Sequence, residues 1–176
     1  MQATMSSNEV ISSYRNWVSQ HRIAAGILAG IIATQVATIC GYWMAGVNLV
    51  QLDWNRANGG VYSPKGSAME QFVTGGAMHY LDGIVFTLMF VIVIHPLLPW
   101  KDTGWGNLGK AFVFGTALAL FSLGFMVPFV FYPKFNPGLF SFNLGGKTVF
   151  AVLLWHWIFA LHLGAVYNPL PTKTIE

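Results

Sequence analysis

Residues 70–101 read EQFVTGGAMHYLDGIVFTLMFVIVIHPLLPWK, and between the flanking Glu70 and Lys101 only Asp82 is charged. The stretch exceeds the ~20 mostly apolar residues that an α-helix needs to cross the hydrocarbon core of a bilayer. Three further stretches have the same character: no Lys, Arg, Asp or Glu lies between Arg22 and Asp53, between Lys110 and Lys134, or between Lys147 and Lys173. The pattern predicts an all-α chain, an integral membrane four-helix bundle with spans at about 23–50, 71–95, 111–132 and 148–167 in one transmembrane domain, 23–169. Composition agrees, with 55% hydrophobic and 9% charged residues, against about a quarter charged in a soluble domain.

The flanks are polar. Residues 1–22 lack the apolar core of a cleavable signal. Within them Ser6 and Glu9 have capping-box spacing, and Val10, Tyr14, Trp17 and Val18 recur at helical spacing. An N-terminal amphipathic helix lying on the membrane surface is expected, a partner-binding helix being the alternative. A short tail, 170–176, ends the chain.

The connection from Gln51 to Glu70 reads as a long polar loop, with Asn58-Gly59-Gly60 and Ser63-Pro64 as turn signals. The Gly-Gly pairs at 59–60, 75–76 and 145–146 read as turns near span ends. Lys101 to Lys110 reads as a link, and Pro128 as a kink near the end of the third span. Basic residues fall five to four in favour of the side of the termini, counting Arg15, Arg22, Lys101, Lys110 and Lys173 against Arg56, Lys65, Lys134 and Lys147. That bias favours cytoplasmic termini, in a bacterial inner membrane.

Chemistry-bearing residues are few. Gly26, Gly30, Ala33, Ala37, Gly41 and Ala45 form a stripe of small residues at steps of three or four along the first span. Such a stripe suits tight helix contact, within the bundle or with another subunit. His79 and His156 each lie about eight residues into spans of the same direction, so they are expected at similar depth, where facing imidazoles could ligate haem b or a metal ion. Asp82, three residues after His79, could hold the second nitrogen of His79, share a metal or pass a proton. Against this stands a self-satisfied polar pair that merely joins helices. His21 and His95 read as interfacial, and His162 lies about 600° around the helix from His156 at 100° per residue, which disfavours a second haem pair. Cys40 is alone, which removes disulfide and cysteine-metal frameworks. Walker, dinucleotide-binding, zinc-protease and nucleophile-elbow patterns are absent, and the dispersed basic residues argue against nucleic acid.

The order GILAGIIAT (26–34), His79-x-x-x-Gly83-x-x-Phe86, Gly115, Met126-Val127-Pro128 and HLGAVYNP (162–169) resembles small four-helix bacterial membrane proteins of the YagU-like and unknown-function families. The resemblance covers residues 23 to 169 and implies the fold; the chain departs from it in the long first loop and N-terminal helix. It carries no chemistry to transfer. The function expected from the sequence is a non-catalytic accessory subunit of a larger respiratory, photosynthetic or oxygenase membrane complex, with lipids and other membrane subunits as partners. The alternatives are a small b-type cytochrome or metal-binding redox protein using His79 and His156, and a small-solute carrier with a polar cavity near Asp82.

Overall fold

The computed structural model describes residues 6–170, and every regular element among them is helical. Residues 1–5 and 171–176, parts of the expected N-terminal segment and tail, lie outside the described residues. Four helices are long and apolar enough to cross a membrane: α2 (Arg22–Val47), α4 (Ala68–Leu97), α5 (Gly104–Phe131) and α6 (Gly146–Val166). Two shorter helices accompany them, α1 (Ser7–Gln20) and α3 (Trp54–Tyr62).

Helix α1 begins with the expected cap. Ser6 Oγ accepts the Glu9 amide at 3.4 Å, and the Glu9 carboxylate accepts the Ser6 amide at 2.6 Å. The helix is fastened to one end of the molecule. Val18 is fully buried, the Tyr14 hydroxyl donates to the Val166 carbonyl at 2.6 Å, and Arg15 donates to the carbonyls of Asp102 and Pro169 at 2.8 Å each. Burial pushes the Tyr14 phenol above its ordinary pKa. Val10 and Ile11 remain exposed on the other side.

Helix α2 lies between α4 and α6, because its small residues let both neighbours approach its backbone. Ala25, Ala29, Ala33 and Ala37 are buried. A Cβ added to Gly30 would come 3.1 Å from the Gly83 carbonyl of α4, and one on Gly41 would come 3.1 Å from the Trp155 indole of α6. Gly26 faces Leu88 and Val91 of α4. The stripe is thus taken up within the chain as far as Gly41. Ala45 lies beyond it in a 3₁₀ turn, Met44–Val47, and is exposed.

Two connections differ from the sequence expectation. The stretch 51–70 is not simply a loop: it contains α3, started by the Asp53 side chain accepting the Arg56 amide at 3.0 Å. Gly59 and Gly75 are not turn residues but a contact between α3 and α4. A methyl on Gly75 would overlap the Asn55 carbonyl and the Gly59 backbone. Gly145, at φ +88°, is a true turn glycine. The stretch 101–110 is mostly helix as well, since Thr103 caps α5 by accepting the Gly106 amide at 3.0 Å. Asn107 and Lys110 are buried on that helix.

In space the long helices run in the order α4, α2, α6, α5. Helices α4 and α5 meet only near one end, where Phe90 and Phe114 rings lie 5.1 Å apart. Further along they diverge, and α3 enters the gap from the opposite end, with Trp54 5.6 Å from Phe131. A lateral crevice remains between α4 and α5. Along its α5 wall the backbone shifts to π-helical hydrogen bonding from Ser122 to Phe131, around Pro128. The Leu123 carbonyl accepts the buried Ser141 hydroxyl at 2.8 Å.

Candidate functional site

His79 reaches the crevice from α4 and His156 from α6, each near the middle of its helix and each less than a tenth exposed. Both line one cavity of about 80 Å³ together with Asp82, Ser122, Trp54 and Trp155. Phe86, Leu118, Met126 and Phe159 make most of its wall apolar. The sequence placed the two histidines at one depth, and they do share one site.

The hydrogen bonds fix part of the site. His156 Nδ1 lies 2.7 Å from the Val152 carbonyl. A carbonyl only accepts, so Nδ1 carries the proton and the Nε2 of the neutral ring is a lone-pair acceptor. His79 Nε2 pairs with the Thr38 hydroxyl of α2 at 3.1 Å. The Asp82 carboxyl, half-buried one turn further along α4, makes no hydrogen bond to His79 or to any other described residue. Thr38 therefore fills one of the roles that the sequence offered to Asp82, that of hydrogen-bond partner to a His79 ring nitrogen. The indole N–H groups of Trp54 and Trp155 are buried without partners among the described residues.

The Trp155 ring lies 5.4 Å from the His79 ring and 5.0 Å from the His156 ring. The cavity of about 80 Å³ is well below the several hundred Å³ of a cofactor pocket. Among the described residues, no group of three or more His, Cys, Asp or Glu side chains converges as metal ligands would. Cys40 stands alone and half-buried.

A second polar cluster, at the end of the molecule that holds α1, escaped sequence reasoning. His95, read from the sequence as interfacial, is buried, with Nε2 3.0 Å from Asn107 Oδ1. The Asn107 amide donates to Asn168 Oδ1 at 2.7 Å, and Lys110 pairs with Asp102 at 2.7 Å. Arg22 donates to the Val91 carbonyl at 2.7 Å and the Tyr167 hydroxyl at 3.2 Å. The available signal was the capping residue Thr103, which starts the helix early enough to set Asn107 and Lys110 on adjacent turns.

The fold and site define an all-helical protein with four helices of membrane-spanning length and a small, mostly apolar cavity halfway along them that a few polar side chains line. Comparison with family models, curated proteins and solved structures finds no match to this chain.

Proposed function

We propose that the chain is an integral membrane protein that binds a lipid-soluble molecule by its hydrogen-bonding end, in the crevice between α4 and α5. The observation that carries this reading is the convergence of His79, His156 and Asp82 on one mostly apolar cavity midway along the long helices. In a bilayer that depth is hydrocarbon. An ionisable side chain there is retained at a cost and is a functional marker by default. A ligand with an apolar body and one or two hydroxyl or carbonyl groups matches such a lining. The His156 Nε2 lone pair would accept from a hydroxyl, and a neutral Asp82 carboxyl would donate to a carbonyl. The π-helical wall at Ser122–Phe131 adds support, since such irregularities gather at functional sites.

Proposed with it is insertion in a bacterial inner membrane with cytoplasmic termini, from the excess of basic residues on the side of the termini. The accessory-subunit role is retained as a second reading. Its specific support is the outward row of Phe121, Phe125 and Phe129, whose successive rings are 5.4 and 5.8 Å apart and which a neighbouring subunit could cover. The small-residue stripe no longer supports it, being used inside the chain. The test is purification of the tagged full chain from its native membrane in mild detergent, with mass spectrometry of bound small molecules and co-purifying chains. A stoichiometric apolar molecule supports the binding role; stoichiometric partner chains without one favour the subunit role.

A further inference from the structure

The end of the molecule that holds α1 carries a second, wider cleft, of about 1050 Å³, between α1, the start of α2 and the turn 98–103. Its walls include Asn16, Arg22, Trp100, Lys101, Asp102 and Lys110. Among the described residues the charges do not balance. Lys110 is neutralised by Asp102 at 2.7 Å, which leaves Arg22 and Lys101. Arg22 uses Nη2 and Nε on a carbonyl and a phenol, and neither it nor Lys101 has a carboxylate partner among the described residues. Arg15, just behind the cleft, likewise bonds only carbonyl oxygens. Trp100 and Trp105, 47% and 86% exposed, lie along the same end, where indoles sit at the level of lipid headgroups.

Cations held by neutral acceptors around a roomy cleft at the mouth of a helix bundle select an anion with several acceptor oxygens. At that depth the anion available is a lipid phosphate. We infer that this cleft binds the phosphate-bearing headgroup of an anionic lipid, with Arg22 and Lys101 as its charged contacts. The Arg22 guanidinium is held in place by the Val91 carbonyl and the Tyr167 hydroxyl, and one of its nitrogens, Nη1, makes no bond among the described residues. Lys101 closes the charge from the turn after α4. This site is separate from the crevice at His79 and does not depend on what binds there.

The test is native mass spectrometry of the full chain in detergent, titrated with phosphatidylglycerol or with phosphatidylcholine of the same acyl chains. Phosphatidylglycerol is expected to bind at least about tenfold more tightly, from about fivefold per basic contact. Lys101→Gln, at an exposed turn, is expected to weaken phosphatidylglycerol binding about fivefold and binding of the zwitterionic phosphatidylcholine less. Arg22→Gln gives a second, larger loss if the variant folds; Lys101→Gln carries the test if it does not. Equal binding of the two lipids, or no effect of Lys101→Gln, overturns the proposal. Inorganic phosphate displacing the lipid at comparable concentration also overturns it and assigns the cleft to a soluble anion.

Discussion

Asp82 is the one charged side chain between Glu70 and Lys101, and it has no partner among the described residues. A partnerless carboxyl contributes little to folding, so Asp82→Asn is expected to shift unfolding free energy by less than about 1 kcal/mol, measured by denaturation in detergent. Thr38→Val should behave differently. It leaves His79 Nε2 buried without its partner and is expected to cost about 1–3 kcal/mol in the same assay. The depth of His79 and His156 was legible because two spans of one direction fix depth by counting. The partner of His79 was not, because it depends on how α2 is rotated against α4, and the sequence of α4 holds no information about that. The burial of His95 was equally hidden: Pro96 marks the end of a span, while Asn107 approaches from a helix whose start was misjudged.

At the scale of elements, the four long helices were readable from charge alone, and their observed ends shift by up to three residues except at the start of α5, which lies seven residues earlier than expected. Helix α3 was missed because Asn58-Gly59-Gly60 has turn composition, whereas here the glycine provides a flat face for α4. Neighbouring glycines in α4 separate the two roles. Gly75→Ala pushes a methyl into the α3 backbone and is expected to destabilise by about 1–3 kcal/mol. Gly76→Ala meets its nearest atom, in Asn55, at 3.6 Å and gains helix propensity, so it is expected to be neutral or to stabilise by up to about 1 kcal/mol. Thermal unfolding of the pair in one detergent checks this, and equal effects would contradict the packing of α3 on α4. Ser141→Ala, which strips the donor from the Leu123 carbonyl, is expected to cost about 1–3 kcal/mol and to loosen the π-helical wall, seen as faster amide exchange over residues 122–131.

For the whole molecule, a bundle of four helices was legible, but its departure from even packing was not. Small residues on α2 draw α4 and α6 to either side of it, and of the long helices α5 docks chiefly on α6, so α4 and α5 are left apart except near Phe90 and Phe114. The crevice follows from that order, and with it the meeting of His79, Asp82 and His156. The central claim is that this crevice holds a lipid-soluble molecule by its polar end. The most direct test compares solvent extracts of the wild-type chain and Asp82→Leu, which removes the donor, purified from the same native membrane in equal amounts and read by untargeted mass spectrometry. The account predicts one apolar molecule with a hydroxyl or carbonyl group, near stoichiometric in the wild type and reduced about fivefold in the variant, the loss expected for one neutral hydrogen bond. Identical extracts from two equally folded proteins would contradict it.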